Sequence, residues 1–190
     1  MRRIKFYGAP LFESKIFLHK QSYMDKKWWG PLVWKALHIL AEQSDRVDSI
    51  GPWRAVFRLT ADVLPCPVCR EHFGAAIRRF HVPAVPYTAE RMKEVVRTFL
   101  WSIHGESAGH PVPLEDLVGL YGGERETEIR KALALIEEVA GAWTAERVPT
   151  WPAVILWARA FHKLAGRLRA VEIPAPPMVP RRGHRTFPLP

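Results

Sequence analysis

The chain has 190 residues, 48% of them hydrophobic, which suits one domain with extensions and excludes a disordered protein. Its net charge of +9 resides in its two ends: residues 1–28 hold seven basic side chains against two acidic ones, and residues 167–190 hold five against one. No apolar run approaches a membrane span, and the start, Met1-Arg2-Arg3, lacks the uninterrupted apolar stretch and small-residue cleavage site of a secretory signal, so an intracellular protein without a membrane span is expected.

The pattern predicts helices and no strand alternation. After a basic extension over residues 1–25, a first helix is expected over about 30–43, with Trp34, Leu37, His38 and Ala41 at i, i+3, i+4 and i+7. A second covers about 52–63, carrying Val56, Leu59 and Val63 on one face. The third opens at the pair Cys66 and Cys69 and continues through Phe73 and Ile77 toward Phe80. A Pro-rich connection over 81–87 leads to a fourth, with Thr88 as its N-cap and Val95, Phe99 and Trp101 along it to about His104, where Gly105 and Gly109 end it. A short helix over 114–120 stops at Gly122 and Gly123, and two more follow at about 125–143 and 151–170. The Pro- and Arg-rich tail, residues 172–190, is expected to be extended or disordered. The basic ends are read as solvated tails, and nucleic acid is not the expected partner.

The two cysteines are the only ones in the chain and stand three residues apart, in Leu64-Pro65-Cys66-Pro67-Val68-Cys69-Arg70-Glu71-His72-Phe73. That spacing brings both sulfurs to one face of a helical turn, within disulfide reach. Pro67 suits the first helical position, which places Cys66 near the N-cap and Cys69 in the first turn. There the helix dipole and unpaired N–H groups favour an anion, so a thiolate at Cys69 is expected to be stabilised. Three uses remain open: a dithiol/disulfide redox centre, half of a zinc site completed by His72 and by His81 or His104, or two buried inert thiols. A redox pair opening a helix in an all-α chain disfavours a thioredoxin-like protein, where C-x2-C follows a strand. Such a centre needs a bound organic cofactor or a partner as electron acceptor. Trp34 with His38, and Trp101 with His104, each share a helix face and suit a planar ring; taken singly, each is better explained as core filling or a satisfied histidine.

Three motifs together resemble the Erv/ALR family of FAD-dependent sulfhydryl oxidases, most of all the small forms encoded by large DNA viruses. The first is Trp29-Gly30-Pro31-Leu32-Val33-Trp34-Lys35-Ala36-Leu37-His38, similar to the family's W-G-P-x-x-W-x-x-L-H opening. The second is the cysteine run, similar to C-x-x-C-x-x-H-F, and the third is Trp101 followed by His104. They span about residues 26–121. The family continues from that histidine as H-N-x-V-N, whereas this chain reads His104-Gly105-Glu106-Ser107-Ala108, with both asparagines lost. The family's second, shuttle cysteine pair is also missing.

The resemblance implies an all-α fold, a four-helix bundle plus a short fifth helix over 26–123, holding FAD and commonly forming a homodimer. It implies a thiol oxidase that forms disulfides in partner proteins through Cys66 and Cys69 and passes electrons through flavin to O2, giving hydrogen peroxide. Trp29, Gly30, Trp34, His38, His72, Trp101 and His104 would hold the FAD. With no shuttle pair, a thioredoxin-like dithiol protein is the expected thiol partner, and a viral source would put the chain in host cytoplasm or virion. Residues 124–171 lie outside the resemblance and read as an added interaction or dimerisation segment without chemistry. The alternative is a non-enzymatic helical interaction protein with a zinc half-site and basic tails touching nucleic acid.

Overall fold

Asp25 starts the first helix. Its carboxylate accepts the Lys27 N–H at 2.9 Å, which satisfies one of the free donors that every helix start leaves. The computed structural model describes residues 25–79, 88–108, 112–145 and 151–170. Helix α1 therefore runs Lys26–Glu42, four residues earlier than the expected start at 30. Pro31 falls inside it, where it has no N–H to give the carbonyl of Lys27. At the far end the Ser44 hydroxyl donates to Leu40 O and accepts from Trp53 Nε1, both at 2.8 Å, fastening α1 to the next helix.

A 3-10 turn, Val47–Ser49, leads into α2, Ile50–Val63. Helix α3, Pro67–Arg79, begins at Pro67 as the cysteine run predicts. In α4, Ala89–Ala108, the Thr88 hydroxyl accepts the Arg91 N–H at 3.3 Å, so the expected cap is present. Gly105 does not end α4. Its cost inside a helix is about 1 kcal/mol relative to Ala, and the last turn is held by buried Ile103 and by a Glu106–Arg79 ion pair to α3.

Helix α5, Asp116–Tyr121, stops at Gly122, where an added Cβ would collide with the carbonyl of Val118. Glu124 then caps α6, Arg125–Ala145, by accepting the N–H groups of Glu126 and Thr127. Helix α7 is Trp151–Arg169. The all-α expectation holds: among the described residues every regular element is helical. No described helix is long and apolar enough to cross a membrane. The expected extended tail, the Pro-rich connection and His81 lie outside the described residues.

Helix α1 packs against α4, α5 and α6, α2 packs against α3 and α7, and α6 packs against α7. One continuous cluster of buried side chains contains residues of α1, α2, α3, α4, α6 and α7, so the chain shows no packing boundary near residue 124. Tryptophans dominate the α6–α7 side. Trp143 meets Trp29 edge-on and stacks on Trp157, and all three are buried. Fully burying a large apolar side chain contributes about 1.5–3 kcal/mol, far more than the exposed ion pairs that decorate α6. Arginines close the end of this unit: Arg125 pairs with Asp45 and donates to Leu168 O, and Arg46 donates to Ala170 O at 2.7 Å.

On the opposite seam, Glu42 is buried between Lys93 and Arg97 of α4. A carboxylate taken out of water needs such partners. The pair of cations joins α1 to α4 near the end remote from the cysteines.

Candidate functional site

Leu64 and Pro65 leave helical geometry at the end of α2, and Pro67 restarts it, so Cys66 is left as the residue flanking α3. Its carbonyl accepts the first intrahelical bond, from Arg70 N at 3.0 Å. Its sulfur accepts the Cys69 N–H at 3.1 Å, the role a Ser or Asp side chain plays at an N-cap. Cys66 and Cys69 form a disulfide, with Cα atoms 5.1 Å apart. The direct N–H donation thus reaches Cys66 Sγ, whereas the sequence argument placed the stabilised thiolate at Cys69. Cys69, in the first turn, keeps the more diffuse benefit of the helix dipole. Both cysteines are half-buried, and Val68, between them in sequence, is 58% exposed.

On its inner side the disulfide lines a cavity of about 620 Å³ between α1, α2, α3 and the end of α4. Trp29, Val33, Trp34, Leu37, Phe73 and Ile103 make its walls mostly apolar, and Lys26, Arg79, Glu106 and Ser107 give it a polar rim. Sites for small organic ligands have this size and this mixture.

The structure brings Cys66, Cys69, Trp29, Trp34 and His72 to this one cavity. His38 and His104 contact Trp34 instead of lining it. The His104 ring lies flat on Trp34, with centroids 4.4 Å apart and planes 8° apart, and His38 is 6.1 Å from the same indole. The two imidazoles share a hydrogen bond, His38 Nε2 to His104 Nδ1, at 3.0 Å, and Tyr121 stacks on His38. Burial, reinforced by the neighbouring His104, lowers the His38 pKa to about 4. Burial lowers that of His104 and raises that of Tyr121. At neutral pH the three rings are therefore uncharged. Trp101 stands apart: its indole N–H donates to the carbonyl of Val112, and it lines neither the cavity nor the ring stack. Gly30 is buried within α1 and also lies off the cavity wall.

Several lining residues are not among the site residues expected from the sequence. Val33 and Leu37 follow Trp29 at four-residue steps, so the face that carries Trp29 identifies them. Leu64 adjoins the cysteine run. Thr60 carries no such signal, because a single Thr on an apolar helix face is unremarkable. For the zinc alternative, no group of three or more His, Cys, Asp or Glu with metal-binding placement occurs among the described residues. No family model matches the chain, and no curated protein or solved structure does either.

Proposed function

We propose that the chain is an FAD-dependent thiol oxidase that forms disulfides in partner proteins and delivers their electrons to O2 as hydrogen peroxide. The observation that carries this reading is the half-buried Cys66–Cys69 disulfide lining an aromatic cavity. The cavity fits the reacting part of the cofactor: indoles and Phe73 suit a planar ring, and Lys26, Arg79 and Ser107 at the rim suit polar groups of its arm. When bound, FAD supplies a two-electron acceptor that oxygen reoxidises.

The chain's own part is thiol exchange. A partner thiolate attacks Cys66 Sγ, the sulfur–sulfur bond breaks, and Cys69 leaves as a thiolate at the start of α3. The partner's second thiolate then attacks its own sulfur in the mixed disulfide and releases Cys66. The partner loses two electrons and two protons, and the Cys66–Cys69 pair is reduced by two electrons. Helix α3 supplies N–H groups and a positive dipole end that stabilise sulfur anions through both steps. Neutral His38 and His104 hold the Trp34 indole in place without bringing charge into the apolar wall.

The chain has no further cysteine to act as a shuttle. The partner therefore brings its own dithiol to Cys66, and a small thioredoxin-like protein is the class that fits. Purification of the chain with flavin, followed by oxygen consumption and peroxide release on adding dithiothreitol, tests the proposal. Colourless protein that takes up no FAD and consumes no oxygen would end it. Replacing Trp34 and His38 together by Ala should lower flavin occupancy, and full occupancy in that variant would remove both from the site.

A further inference from the structure

Two threads of buried side chains run from the C-terminal helices to the wall of the cavity. In the first, Thr60 lines the cavity from α2 and is 1% exposed. Its hydroxyl donates to Val56 O at 2.8 Å and accepts from Trp157 Nε1 of α7 at 3.0 Å. In the second, Trp29 lines the cavity from α1 and meets Trp143 of α6 edge-on, with centroids 5.7 Å apart. Trp143 stacks on Trp157 at 5.2 Å, so the two threads join inside the core. Trp143 and Trp157 are fully buried.

We infer that Trp157 and Trp143 are positioning residues of the cavity beside the disulfide, acting through Thr60 and Trp29, so that α6 and α7 brace the wall of the site from behind. This rests on the reading of that cavity as the flavin site. The Trp157 N–H matters for a specific reason. Thr60 places its one hydrogen on Val56 O, and the indole N–H fills an acceptor position of the same oxygen, on a residue only 1% exposed. Without that N–H, the oxygen is a buried acceptor short of a donor, and the Thr60 side chain must either rotate or take a water in place of the indole. Trp29 is held in turn by an aromatic edge contact whose geometry depends on where Trp143 stands.

The test uses the full chain and the variants Trp157→Phe, Thr60→Val and the double variant. Trp157→Phe keeps a ring against Trp143 and Phe161 and removes only the donor and part of the bicycle. FAD dissociation is read by quenching of flavin fluorescence, and local opening by amide hydrogen exchange. Trp157→Phe should weaken FAD binding about tenfold, and Thr60→Val in the same chain should recover most of it, because removing both partners of a buried hydrogen bond costs less than removing one. Exchange at the amides of residues 56–64 should quicken about tenfold, with residues 92–100 unchanged, as expected of local opening and not global loss of stability. Unchanged FAD affinity in Trp157→Phe, multiplying losses in the double variant, or equal acceleration at both segments would overturn the inference. If the wild-type chain binds no flavin, the flavin reading falls by itself. The contrast in exchange between residues 56–64 and 92–100 then decides whether Trp157 positions this wall.

Discussion

The two ends of the cavity are built in opposite ways. At the mouth, the Cys66–Cys69 disulfide is half-buried at the first turn of α3, with exposed Val68 between the sulfurs and charged side chains around it. At the back, Trp29, Trp143 and Trp157 form a buried aromatic block that joins α1 to the distant pair α6 and α7. The mouth spends little apolar burial and keeps a bond accessible to attack. At the back only Trp29 lines the cavity, and Trp143 and Trp157 are fully buried, out of a substrate's reach. The half-buried disulfide and the buried block thus differ in what they expose, so changes at the two should have different signatures.

The largest expected effect is at the mouth. Cys69→Ser should abolish dithiol-driven oxygen consumption while leaving the fold intact, because neither the disulfide nor its leaving thiolate can form. An oxygen electrode and circular dichroism on the same sample check this. Wild-type turnover in that variant would break the division of labour. At the back, Trp143→Ala should lower stability by about 3–5 kcal/mol, the range for truncating a buried large aromatic. Chemical denaturation measures it, and a loss below about 1 kcal/mol would mean that the α6–α7 block does not hold the core.

The ring stack between these ends gives an intermediate effect. His38 has a folded pKa of about 4, below its ordinary value of about 6.5. Its contribution is fully present above about pH 6.5 and is lost as pH falls toward 4, because the unfolded chain binds the proton first. Between pH 7 and pH 4.5 this amounts to about 2–3 kcal/mol, and lowered His104 adds in the same direction. Urea denaturation at the two pH values should show a drop that shrinks in His38→Gln. A wild-type drop no larger than that of the variant would remove His38 as its source. The smallest effect is expected of the C-terminal tail. Deleting residues 173–190, which lie beyond the cavity motifs, should leave turnover of a small dithiol unchanged.

The mouth was more legible in the sequence than the back. Pro67 after Cys66 and Thr88 before α4 are local signals, and both sit where their backbone chemistry requires. Local reasoning failed where a neighbouring cap won: Asp25 captured the start of α1, so Pro31, a residue that suits the first helical position, ended up within the helix. It failed again at Gly105, where contacts to α3 carried α4 onward. Trp34 and Trp101 looked alike as members of Trp–His pairs. Only Trp34 faces the cavity, while Trp101 is taken up by the carbonyl of Val112. The back wall lay beyond periodicity altogether. Trp157 reaches Thr60 across 97 residues, and nothing in either residue's local pattern announces the other. Residues 124–171 consequently read as an appended segment, whereas α6 and α7 pack against α1 and α2 in one core.

The proposed function requires electron transfer from the Cys66–Cys69 pair to a flavin held against it. Anaerobic addition of dithiothreitol to the FAD-loaded chain, followed at the flavin band near about 450 nm, tests this most directly. The account predicts bleaching in the wild-type protein, recovery of the band on admitting air with release of peroxide, and no rapid bleaching in Cys69→Ser. A band that bleaches equally fast in Cys69→Ser, or that stays unbleached in wild-type protein after its disulfide has been reduced, would contradict it.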